Sequence, residues 1–111
     1  MTLPPKIRPD VEMLITAFTA SPFANNIVKI ILFGSHSPLS ARKHQPDSDI
    51  DIALVVKEPP GKDQRAEYGM LTDIISPREV DLVICTEETL YSGMYVFAEI
   101  LREGVTVYEN V

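Results

Sequence analysis

The sequence predicts an α/β fold, a small mixed β-sheet of about four strands flanked by helices, on three observations. Helical and strand-like hydrophobic periods alternate along the chain, punctuated by Gly, Ser and Pro. Three short aliphatic runs, Ile27 to Phe33, Ile50 to Val56 and Val80 to Cys85, read as buried strands. The chain has 111 residues, 45% of them hydrophobic, which suits a single domain over residues 1–111 with a genuine core.

The elements follow in order. Val11, Leu14, Ile15 and Phe18 recur at helical spacing behind Pro9 and Asp10, so a first helix is expected to end before Ser21 and Pro22. The first strand, Ile27 to Phe33, stops at Gly34 and Ser35. Ser35, Ser37 and Pro38 resemble a helix start, since serine caps free N–H groups and proline tolerates the first turn. A short helix is therefore expected through Leu39 and Ala41, followed by the polar stretch Arg42 to Ser48. The second strand, Ile50 to Val56, leads into a turn from Lys57 to Lys62 that holds Pro59, Pro60 and Gly61. Tyr68, Leu71, Ile74 and Ile75 mark another helix, ended by Ser76 and Pro77. After the third strand a last helix is expected from Thr86, its inner face set by Leu90, Met94, Phe97 and Leu101. Gly104 stops that helix, and Val105 to Tyr108 can add an edge strand.

Composition narrows the function. The aliphatic runs are too short for a membrane span, and Pro4, Pro5 and Pro9 stand where a secretory signal would be apolar, so a cytoplasmic location is expected. Cys85, the only cysteine, forms no internal disulfide and reads as a buried structural thiol. The formal net charge of −6 argues against broad nucleic-acid binding, which needs clustered Lys and Arg to displace counterions. An acidic domain that handles phosphate needs metal ions to offset its own charge.

Asp49 and Asp51 supply a place for such ions. Residues i and i+2 of a strand point to one face, about 6.5 to 7 Å apart. Two carboxylates so placed repel each other and lose hydration unless a cation joins them. Oxygen-only ligands select hard ions such as Mg²⁺ (with Mn²⁺ as the alternative), which bind through one or two carboxylates together with substrate phosphates. Gly34 and Ser35 suit those phosphates, because glycine lets a backbone approach closely and a helix start offers unpaired N–H groups. Asp81 is the carboxylate inside the third aliphatic run, and it completes a set of three. Three carboxylates around two metal ions make an in-line displacement site for a nucleoside triphosphate.

The segment LFGSHSPLSARKHQPDSDIDIALVV, with its Gly-Ser turn, variable stretch and Asp-x-Asp, resembles the DNA polymerase beta-like nucleotidyltransferase superfamily. VDLVI at 80 to 84 and FAEILREGVTVYEN at 97 to 110 look like its minimal nucleotidyltransferase (MNT) branch, so the resemblance covers nearly the whole chain. It implies the polymerase beta-like fold, phosphate binding by Gly34 and Ser35, and metal binding and catalysis by Asp49, Asp51 and Asp81. Many members have a second glycine shortly after the Gly-Ser and a shorter gap to the first aspartate. Here Pro38 and Leu39 occupy that region, and Arg42 or Lys43 stands in for the basic residue common in the loop. Members of this branch are commonly encoded beside a HEPN protein, a pair in which the transferase moves AMP from ATP onto the toxin. The resemblance thus implies an antitoxin with ATP as substrate, two Mg²⁺ ions and a HEPN protein partner whose tyrosine is the acceptor. The chain lacks the HEPN signature itself.

Blander readings compete at each point. Asp47, Asp49, Asp51 and Glu58 match the acidic positions of an EF-hand loop, but Ile52 stands where that loop needs glycine. Ser35 alone would be only a helix cap. His36 and His44 read as solvated loop residues. Lys29 reads as a snorkelling strand residue, and Tyr91, Tyr95 and Tyr108 as core or edge residues. Against the enzyme stands a binding module of the same fold that neutralises a partner by contact alone. Transfer to a small molecule such as an aminoglycoside ranks last, since no drug pocket is evident.

Overall fold

The structure, a computed structural model, describes residues 3, 5, 7–40, 49–73 and 79–110. Its elements are α1 (Arg8–Thr19), β1 (Ile27–Phe33), β2 (Ile50–Val56), α2 (Lys62–Asp73), β3 (Val80–Thr86), α3 (Glu87–Leu90), α4 (Tyr95–Glu103) and β4 (Val105–Glu109). The strands form one mixed sheet in the order β3-β2-β1-β4. β1 runs antiparallel to both β2 and β4, whereas β2 and β3 are parallel and joined through α2. β4 closes one edge, as its position after Gly104 suggests.

The alternation of side chains along β2 divides the core in two. Ile50, Ile52, Leu54 and Val56 join Val11, Leu14 and Phe18 of α1 and Tyr68 of α2. Tyr68 is almost fully buried, with its ring centroid 6.2 Å from that of Phe18 and 4.6 Å from that of Phe23. Ala53 and Val55 face the other way, onto Ile31, Phe33, Cys85, Leu90 and Ile100, with Phe97 packed alongside. Asp51 continues this second row, on the face that α3 and α4 cover.

Two expected helices differ. Among the described residues, Ser35 to Ser40 form no α-helix. Gly34–His36 is a single 3-10 turn, and Ser37 is extended (φ −73°, ψ 136°). The reason is Pro38: its ring clashes with a helical conformation of the preceding residue, so the proline ends the turn instead of opening a helix. The last helix is likewise two pieces, because Gly93 takes a positive φ of 88° between α3 and α4. The break resets the helical phase. Leu90 and Phe97 do face inward, but Met94 is 60% exposed and Leu101 43%, while Ile100 at 1% is the buried anchor of α4. Tyr91 and Tyr95 are exposed as well. The readings placed on Ile74, Ile75, Ser76 and Pro77 fall outside the described residues. Among the described residues, no helix is long and apolar enough to cross a membrane.

Candidate active site at the Gly34 turn

β1 ends where β2 begins, and this antiparallel meeting brings the turn and the aspartates together. Phe33 pairs with Asp51, so Gly34 lies beside the Asp51 side chain. Gly34 has φ +74°, a conformation that side chains disfavour, and a Cβ built on it would collide with Asp51 Oδ2 and sit 2.8 Å from Asp51 Cγ. The absent side chain is a cradle for the carboxylate.

Across the parallel ladder, Asp51 pairs in register with Asp81. Paired residues of adjacent strands project from the same face, with strands about 4.8 Å apart. Asp49 precedes β2 by one residue, and the ladder reaches it: the Ile50 N–H donates to the Glu79 carbonyl at 3.0 Å. Asp49 and Asp51 are half-buried, whereas Asp81 is exposed on its edge strand. Its place inside the third aliphatic run does not bury Asp81. Water reaches it, and its relevance is its position beside Asp51. Asp51 and Asp81 share one face of the sheet, and Asp49 lies in the chain at the same end. Among the described residues, no group of three or more His, Cys, Asp or Glu side chains is gathered as a metal cluster. The chemistry of the donors still fits a hard divalent cation: they are all carboxylate oxygens, partly open to solvent, beside a backbone without a side chain.

Residues just beyond the turn were not legible as part of it. His36, expected in solvent, is 1% exposed, and Ser37 is 5% exposed. The Ser37 N–H donates to the Gly34 carbonyl at 3.0 Å, closing the turn. The Ser37 hydroxyl donates to the main-chain carbonyl of Glu103, the last residue of α4, and accepts from the Leu39 N–H at 3.2 Å. Glu103 is itself buried, and its Oε2 has no hydrogen-bond partner among the described residues. The local signal for Ser37 was the Ser-Pro dipeptide; nothing local points to Glu103.

At the other end of the same face, Lys29 Nζ stands 5.8 Å from the Tyr91 ring centroid, a cation–π contact in place of a merely snorkelling lysine. Cys85 is a buried free thiol as expected. Burial pushes its pKa up, and nearby Lys29 partly offsets this.

Residues 15–111 match the family described as Polymerase beta, Nucleotidyltransferase. The chain belongs to this family. Solved structures give the nucleotidyltransferase the same fold. A chain of the toxin–antitoxin MntA–HepT is 20% identical with a TM-score of 0.61, covering 93% of this chain and 73% of that one. A toxin–antitoxin with AMP-PNP gives 24% identity and a TM-score of 0.61, over 89% of this chain and 73% of that one. A chain of the tri-AMPylated Shewanella oneidensis HEPN toxin in complex with its MNT antitoxin gives 19% and 0.54, over 95% of this chain and 71% of that one. No curated protein matches. The four-stranded mixed sheet with its helices is the polymerase beta-like nucleotidyltransferase fold. Arg42 and Lys43, expected at the phosphates, and Asp47 lie outside the described residues.

Proposed function

We propose that this nucleotidyltransferase moves AMP from ATP to a hydroxyl, a tyrosine of a HEPN-type toxin, and so acts as the antitoxin of a pair. The observation that carries the reading is the register of Asp51 with Asp81 beside a Gly34 backbone that leaves room for the Asp51 carboxylate. Asp49, Asp51 and Asp81 would hold divalent ions, two Mg²⁺ by preference, which when bound lower the pKa of the acceptor hydroxyl and offset charge on the phosphoryl oxygens. The Gly34 and Ser35 backbone binds the phosphates, with Arg42 as the added cation of the loop. Asp81, open to solvent on the edge strand, takes the proton from the incoming hydroxyl in this reading. Similarity to toxin–antitoxin structures, one holding AMP-PNP and one an AMPylated toxin, supports both substrate and partner.

The test is to mix the chain with the product of a neighbouring HEPN gene, Mg²⁺ and ATP labelled on the α-phosphate. Label should enter the partner, and Asp51→Asn should lower its rate by at least about 10²-fold while leaving the two proteins able to bind. Full neutralisation of the toxin by Asp51→Asn, with no label transferred by the wild type, would instead establish a module that acts by contact alone.

A further inference from the structure

We infer that Ser37 is a positioning residue for nucleotide binding, because its hydroxyl ties the phosphate-binding turn to the C-terminal end of α4. This rests on the phosphate role proposed for Gly34 and Ser35.

Two fixed points define the tie. Gly104, the residue after α4, has no room for a side chain: a Cβ there would collide with the Ile100 carbonyl and lie 2.5 Å from Ile31 Cγ2. The end of α4 therefore sits directly on β1, with the Gly104 N–H donating to the Ile100 carbonyl at 2.7 Å. β1 then runs out into the turn, and Ser37 returns to the same helix end. The terminal carbonyls of a helix lack partners within the helix, and the Ser37 hydroxyl supplies one for Glu103. Its lone pair meanwhile takes the Leu39 N–H, so one buried oxygen holds both the exit of the turn and the helix. Pro38 holds Ser37 in the extended conformation that permits both bonds. Strand, turn and helix end thus form a closed triangle, and the hydroxyl is the side that joins the turn to the helix end.

Loss of that hydroxyl leaves Gly34 and Ser35 in sequence but no longer fixed in place. Ser37→Ala should weaken binding of a fluorescent non-hydrolysable ATP analogue with Mg²⁺ about tenfold, and Ser37→Thr should restore most of it. In turnover, KM for ATP should rise while kcat changes less. Thr72→Val is the control: it removes another buried hydroxyl, bonded to the Gly69 carbonyl at 2.6 Å, in the helix layer over the opposite face. It should cost comparable stability with no change in analogue binding. Independently of any variant, the analogue should slow amide hydrogen exchange in the wild type over residues 35–40. Analogue bound equally by wild type and Ser37→Ala would overturn the role of Ser37 alone, whereas unchanged exchange over 35–40 on binding would overturn it together with the phosphate role of the turn. Wild type that binds no nucleoside triphosphate would overturn this inference together with the phosphate role beneath it.

Discussion

At the scale of single residues, the molecule is most sensitive where an atom has been left out. Gly34 combines a positive φ with contact against Asp51, so Gly34→Ala should cost about 2 to 3 kcal/mol in urea unfolding and abolish measurable transfer, through strain and displacement of the carboxylate. Leucine at the exposed position 39, by contrast, should accept alanine within about 0.5 kcal/mol. Cys85 makes a prediction in pH. Its thiol is held above its ordinary value chiefly by burial. The folded state then binds the proton more tightly than the unfolded chain, so the stability it contributes is present below the unfolded value. That stability should fall as pH rises from about 9 through the folded pKa, and Cys85→Ala should flatten this part of the profile of unfolding free energy. The turn at Gly34 and the strand positions of Asp51 and Asp81 were legible in the sequence because a turn residue and an aliphatic run are local patterns. His36 and Ser37 were not, since what buries Ser37 includes a carbonyl sixty-six positions further along the chain.

At the scale of elements, the strands could be read because each carries its own aliphatic run and its own stop. The helices were harder, and the errors share a cause: a break that depends on one backbone torsion. The spacing Leu90, Met94, Phe97, Leu101 fits one uninterrupted helix, yet Gly93 at φ +88° divides it and hands the inner face to Ile100. Ser37 before Pro38 is the same lesson in miniature, since the proline that suits a first turn also forbids helix in the residue before it. Gly93 has nothing within 4 Å of a built Cβ, so its requirement is conformational alone and contrasts with that of Gly34. Gly93→Ala should therefore lower stability by about 1 kcal/mol by thermal unfolding, without loss of nucleotidyltransferase activity. Helical signal in far-UV circular dichroism should not rise. A rise, with retained stability, would mean that α3 and α4 can fuse and that Leu90 and Ile100 need not both face the sheet.

At the scale of the whole molecule, the charge balance explains why the site should depend on its ligands. A chain of net charge −6 places Asp51 and Asp81 side by side on one sheet face, with Asp49 two residues away. Repulsion between them is modest without metal, because Asp81 is exposed and water screens the pair. In metal-free buffer Asp51→Asn should accordingly be as stable as the wild type, or more stable by less than about 1 kcal/mol. Adding Mg²⁺ with ATP should reverse the order. A ligand at a hundred times its Kd stabilises the folded state by roughly 2.7 kcal/mol, which in a domain of this size raises Tm by about 10 °C. The wild type should show that rise and Asp51→Asn should not, and neither should respond to ATP in EDTA. The comparison separates an aspartate kept for the fold from one kept for a cation. A structural Asp51 would lose stability when neutralised and leave the response to Mg²⁺ and ATP intact, whereas a ligand loses the response and keeps the fold.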